Sequence, residues 1–174
     1  MEITGPTFTL RNWRTDDAVS LQKYADNRNI SAWLFDRFPF PYTLQDAVDF
    51  INLKINQNPV TNFAIIVNGE VAGVIGLDMR EDVYRKTPLL GYWLAENYWG
   101  RGIMPQAVKL VTTYGFEQLG LICIQANVFG GNTKSMRVLE KAGFMKQGIA
   151  LQSAIKDGRV VDEHRFAIYP PQKH

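Results

Sequence analysis

The sequence predicts an α/β sandwich, a mixed and mostly antiparallel sheet flanked by helices. Three observations carry that expectation. Short runs of strand character interleave with segments whose apolar residues recur at helical spacing. Two turn dipeptides, Asn68-Gly69 and Asp157-Gly158, each stand between strand-like runs and read as tight hairpins. Between them, residues 89–104 pass from an apolar, aromatic strand through Glu96 and Asn97 into Trp99-Gly100-Arg101-Gly102 and straight on into a helix. At 174 residues the chain is expected to be a single domain, 1–174, large enough to bury a core.

Each element has its own signal. Phe8-Thr9-Leu10-Arg11 alternates and is the expected first strand. Thr15 or Asp16 is the expected cap of a helix running to about Asn27, with Ala18, Val19, Leu21, Tyr24 and Ala25 on one face. Residues 29–40 are irregular and aromatic (Trp33, Phe35, Phe38, Phe40), and Pro39 and Pro41 prevent one continuous helix. Thr43 then caps a second helix with Ala47, Phe50, Ile51 and Ile55 inward. Residues 62–67 and 71–78 pair about Asn68-Gly69, and a charged loop, 80–86, leads to the strand 89–94. The helix from Ile103 to about Leu119 puts Ala107, Leu110, Val111 and Tyr114 on one side, and Gly120 ends it. Residues 121–129 form a buried strand, and Asn132-Thr133-Lys134-Ser135 caps a short helix. A last hairpin joins 148–155 to 160–168.

A strand that feeds a Gly-x-Gly turn and then a helix gathers free backbone N–H groups and the positive end of a helix dipole at one point. Such a point suits a phosphate. The two glycines let the backbone approach the anion and take angles that a side chain forbids. Arg101 either adds a charge or is a solvated turn residue. Two nucleotide motifs are excluded: Pro105 stands where the dinucleotide pattern needs its third glycine, and no Gly-Lys-Ser/Thr follows for a Walker loop. A tight turn with no ligand remains the plain alternative.

Further residues carry a family resemblance: Gly91-Tyr92-Trp93-Leu94, Tyr98-Trp99-Gly100-Arg101-Gly102-Ile103, Asn132 with Ser135, and Leu139-Glu140-Lys141-Ala142-Gly143-Phe144. In this order they resemble the GNAT acetyltransferases, closest to the branch of ribosomal-protein N-terminal acetyltransferases. The family's acyl-CoA motif usually opens with Gln or Arg three residues before its first glycine, where this chain has Asn97. The resemblance implies a fold in which the fourth and fifth strands, 89–94 and 121–129, splay to admit the pantetheine arm. It implies acetyl-CoA as co-substrate. The amides of Arg101, Gly102, Ile103 and Met104 would hold the pyrophosphate beside Trp99 and Gly100. The backbone of Trp93 and Leu94 would pair with the pantetheine, with Asn132 and Ser135 near its sulfur. Ser135 Oγ is the candidate for assisting the departing thiolate, the alternative being that Asn132 and Ser135 only cap their helix. The helix–loop–helix bearing Trp33, Phe38 and Phe40 would shape the acceptor site; on the residues alone it is equally a hydrophobic plug.

The general base stays unassigned. Many relatives carry a Glu where this chain has Leu89, and Glu96, Asp78, Glu81 and His164 are the remaining groups to weigh. That gap keeps open a non-catalytic acyl-CoA sensor, and among enzymes it leaves a peptide N-terminus or a small amine such as a polyamine as acceptor. The formal charge of +2 argues against nucleic acid as a partner. One cysteine excludes an internal disulfide, Cys123 reads as a buried inert thiol, and two histidines with one cysteine are a poor basis for a metal site. No signal peptide, long apolar span or lipidation motif is present, so the expectation is a cytoplasmic monomer or homodimer without a membrane partner.

Overall fold

A computed structural model describes residues 1–172. They form two compact units, one of Met1–Gly76 with Tyr92–Ile103, the other of Leu77–Gly91 with the chain from Met104 on.

In the first unit the strands β1 (Glu2–Thr4), β2 (Thr9–Arg11), β3 (Asn62–Val67), β4 (Glu70–Asp78) and β5 (Leu89–Leu94) are neighbours in that order. The last residues of β4 and the first of β5 belong to the second unit. β1–β2, β2–β3 and β3–β4 are antiparallel. The Asn68-Gly69 turn takes φ of 51° and 82°, the left-handed pair that matches strand twist in a two-residue hairpin. β1 was not expected, because three residues ahead of Gly5-Pro6 carry too short a pattern. It is held by its register, Ile3 opposite Leu10.

Three helices, α1 (Ala18–Ala25), α2 (Arg28–Ser31) and α3 (Leu44–Lys54), complete this unit. Thr43 caps α3 as expected: its Oγ1 accepts from the Asp46 N–H at 3.2 Å, while the Asp46 carboxylate accepts from the Thr43 N–H at 2.7 Å. At α1 the expectation fails. Neither Thr15 nor Asp16 caps; Thr15–Asp17 form a 3-10 turn, and the Asp17 carboxylate accepts from the Arg14 N–H at 2.8 Å. Asp17 also takes a two-pronged bond from Arg11, at 2.8 and 2.7 Å, with both side chains nearly buried. The buried pair fixes the carboxylate where it can reach the turn. Residues 29–40 are irregular only in part, since α2 occupies their first turn, capped by the Asn27 side chain. The core gathers Trp13, Leu21, Tyr42, Ala47, Ile51 and Val74, with Phe38, Phe50 and Trp93 packed against it. Burial of each large side chain stabilises by about 1.5–3 kcal/mol.

In the second unit β5, β6 (Ile124–Phe129), β8 (Arg159–Ile168) and β7 (Met145–Lys156) are neighbours in that order. β6–β8 and β7–β8 are antiparallel and β5–β6 is parallel, so the mixed sheet with mostly antiparallel pairing is observed as expected. The β5–β6 ladder consists of one pair, Leu89 opposite Gln125, and the expected splay takes that form. α4 (Ile103–Glu117) crosses this sheet closely: a Cβ on Gly115 would stand 2.9–3.3 Å from methyl groups of Leu121, Ile124 and Leu77. Gly120, at φ 60°, ends the chain's helical course, and Lys86 Nζ donates to the Leu119 carbonyl at 2.7 Å. α5 (Thr133–Lys141) follows β6.

Candidate active site

The phosphate expectation rested on Trp99-Gly100-Arg101-Gly102, and the backbone has the required form. Gly100 and Gly102 have φ of 75° and 76°, left-handed angles that suit glycine. A 3-10 turn, Glu96–Tyr98, precedes them and α4 begins at Ile103, so the alternation of conformations opens directly on a helix N-terminus. An added Cβ at Gly100 would meet nothing within 4 Å, which leaves the outer side of the turn open to an anion. Pro105, in the first turn of α4, lacks an N–H where the helix would not use one.

Two side chains brace this turn from inside the first unit. Trp99 Nε1 donates to the Leu94 carbonyl at 2.7 Å and folds the chain back on the end of β5. The Arg101 guanidinium lies over the Tyr98 ring, 5.2 Å from its centroid, and Tyr98 is buried against Tyr24. Arg101 is thus exposed and held by the ring rather than by a carboxylate. On β5 itself the Trp93 carbonyl faces Gly73 of β4, and the Ala95 N–H donates to the Ala72 carbonyl at 2.7 Å. Both the Trp93 and Leu94 carbonyls therefore have neighbours, and N–H groups are what remain for a ligand along this strand.

Glu96, weighed as a base, has another engagement. Its carboxylate accepts from Asn27 Nδ2 at 2.8 Å and from Asn29 Nδ2 at 3.1 Å. These bonds tie the start of the aromatic segment to the approach of the glycine turn. A concavity of about 420 Å³ lies there, lined by Lys23, Tyr24, Asp26, Asn27, Glu96 and Asn97. Nothing in the sequence signalled it, because the partners are almost seventy residues apart. Of the proposed acceptor residues, Phe38 packs against Trp93 (centroids 6.0 Å apart) and Tyr42 (4.9 Å), while Trp33 and Phe40 are exposed. The plug and the wall are both realised, by different rings.

In the second unit, Asn132 caps α5, its Oδ1 accepting from the Ser135 N–H at 3.3 Å. The cap reading holds for Asn132, and it uses the Ser135 backbone, not its hydroxyl. Leu89 sits in the single β5–β6 pair and is apolar. Asp78 and Glu81 are exposed. His164, opposite Val128 and Ile149 on β8, has a buried Nδ1 with no hydrogen-bond partner among the described residues, and its Nε2 lies beside Gly130. Cys123 is buried, and burial pushes its thiol up, away from a nucleophilic form. Among the described residues no group of His, Cys, Asp or Glu could hold a metal ion, and no helix is long and apolar enough to cross a membrane.

A glycine turn that opens a helix beside an interrupted strand ladder defines an acyl-CoA-type nucleotide site. Comparison with known proteins agrees. Residues 7–145 match the acetyltransferase (GNAT) domain. An uncharacterized N-acetyltransferase, p20, of Bacillus licheniformis is 30% identical over 165 residues, covering 92% of each chain. The spermidine N(1)-acetyltransferase of Escherichia coli K12 is 24% identical, over 94% of this chain and 86% of its own. Among solved structures, RimL, a ribosomal-protein alpha-N-acetyltransferase in complex with coenzyme A, superposes with a TM-score of 0.86. It covers 97% of this chain and 98% of its own, at 20% identity, and so speaks for the fold. The chain belongs to the GNAT acetyltransferase family, enzymes that draw their acetyl group from acetyl-CoA.

Proposed function

We propose that this protein transfers the acetyl group of acetyl-CoA directly to the primary amine of a peptide N-terminus or a small molecule, both substrates being bound together. The observation that carries the reading is the pair of left-handed glycines, open at Gly100, at the start of α4. The amides of Arg101, Gly102, Ile103 and Met104 bind the pyrophosphate, Trp99 and Gly100 shape the turn, and Arg101 adds charge at its rim. N–H groups of Trp93 and Leu94 orient the pantetheine, and one of them polarises the thioester oxygen. Most of the rate gain is positional, worth up to several kcal/mol. Ser135 Oγ hydrogen-bonds the departing sulfur and relays to it the proton that the amine loses as the C–N bond forms and the C–S bond breaks. Asn132 holds the helix that carries Ser135. The aromatic segment with Trp33, Phe38 and Phe40 receives the acceptor. The same reading takes residues 1–174 as one cytoplasmic domain acting as a monomer or homodimer.

No side chain is assigned as base, so the acceptor must arrive unprotonated. A second reading, a non-catalytic acyl-CoA sensor, draws on one observation: Leu89 stands in the β5–β6 pair where relatives carry an acid.

Ser135→Ala separates these readings. Loss of an assisting hydroxyl lowers kcat by about 10–100-fold with acetyl-CoA affinity unchanged. A residue that only supports the helix start leaves kcat alone and costs at most about 1 kcal/mol of stability. A sensor binds CoA tightly in both forms and turns over no amine.

A further inference from the structure

Given the acceptor role proposed for it, on which this inference rests, the aromatic segment carries more information than its apolar character. It is fixed at two places in the first unit. Asn27 and Asn29 donate to Glu96 at one end, and Phe38 packs on Trp93 in the middle. From that base three rings point outward: Trp33, Phe35 and Phe40 are 42%, 55% and 48% exposed. Three large rings exposed within eight residues form an apolar patch of the kind that marks a binding surface. Each of two rings bears a guanidinium. Arg37 stands 5.0 Å from the Phe35 centroid and Arg28 stands 5.6 Å from that of Phe40. A guanidinium on a ring face keeps its planar fork of N–H donors, the geometry that recognises a carboxylate. Asp36 is the sole acid between residues 28 and 42, against these two arginines. Glu96 and Asp26, the nearest acids of the lined concavity, are engaged by amides, Asp26 through the Tyr42 N–H at 2.9 Å.

We infer that the acceptor is a peptide whose free N-terminus is followed closely by acidic residues. Its apolar groups rest on Trp33, Phe35 and Phe40, and its carboxylates face Arg28 and Arg37. A polyamine meets the opposite condition, two fixed cations at the entrance, and like charges at an interface act against the wrong partner.

The test uses peptides of equal length with one free α-amine and no lysine, bearing Asp and Glu, Asn and Gln, or Arg at the second to fourth positions. Spermidine is included, and CoA release is measured as kcat/KM, with the acetylated nitrogen identified by mass. The inference expects the acidic peptide to exceed the arginine peptide and spermidine by about 10-fold or more. Charge reversal at both positions, Arg28→Glu with Arg37→Glu, should invert the peptide order while acetyl-CoA affinity stays constant. Arg37→Glu alone, at an exposed site, should narrow the ratio if the double variant does not fold. Equal rates, preference for arginine peptide or spermidine, or a ratio unmoved by charge reversal each overturn the inference and leave the acetyltransferase reading standing. Absence of turnover on every acceptor by protein that binds acetyl-CoA overturns both.

Discussion

Gly102 must hold a φ of 76° while presenting its amide beside the start of α4, and that double demand is met without a side chain. Gly102→Val should therefore act twice. A β-branched residue at this angle costs about 1–3 kcal/mol of local strain, and its methyls crowd the space an anion needs. Titration calorimetry should show acetyl-CoA affinity lost in a protein with unchanged far-ultraviolet dichroism and a modestly lowered Tm. Normal affinity in the folded variant would put the phosphates elsewhere. A second residue-scale demand is the Arg11–Asp17 pair, whose side chains are 11% and 6% exposed. Asp17→Leu strands a buried guanidinium and also removes the acceptor of the Arg14 N–H. Urea unfolding should report a loss of about 3–5 kcal/mol. Replacing both partners, Arg11→Met with Asp17→Leu, should recover much of that loss. If the single and double variants fall equally, the pair's charge is not what the single change exposes.

Elements are held in register by contacts that local patterns record unevenly. The α3 cap, the Asn68-Gly69 hairpin and α4 were legible because the residues that make them lie within four positions of one another. β1 and the cap at α1 were not. Three strand residues carry no period, and the carboxylate that caps the 3-10 turn is chosen by Arg11 across a buried contact. α1 is tied to the β3–β4 hairpin by another long-range link: Glu70 accepts from the Tyr24 hydroxyl at 2.6 Å and from Lys23 Nζ at 2.9 Å. Those bonds, the Tyr24 hydroxyl foremost and then Lys23, hold the Glu70 carboxyl below its ordinary value of 4.5. A carboxyl depressed in the folded state stabilises above the unfolded value, and that contribution is lost as pH falls through the folded one. The Tm gap between wild type and Glu70→Gln should accordingly be widest near neutrality, shrink below about pH 4.5 and close at lower pH. Because the group is exposed, the gap will be small and should narrow further in salt. A gap that is constant from pH 7 to acid would remove the carboxylate from this link.

At the scale of the whole molecule, the cofactor half of the site was legible and the acceptor half was not. Phosphate binding depends on backbone geometry, and two glycines opening a helix announce it in a few consecutive residues. An acceptor site is assembled from side chains that meet only after folding: Asn27 and Asn29 with Glu96, Phe38 with Trp93. The base is illegible for a further reason. Where Leu89 replaces an acid, the fold offers no other carboxylate by pattern, and proton removal then follows the acceptor's own pKa. The most direct test of the account is amine-dependent release of free CoA from acetyl-CoA, followed across pH with the acceptor's mass recorded. The account predicts thiol release matched one to one by acetylated amine, with kcat/KM rising through about pH 8 for an α-amine and about pH 10 for a lysine-type amine. Folded protein that binds acetyl-CoA yet releases no thiol beyond hydrolysis, on any peptide or small amine supplied, would contradict it.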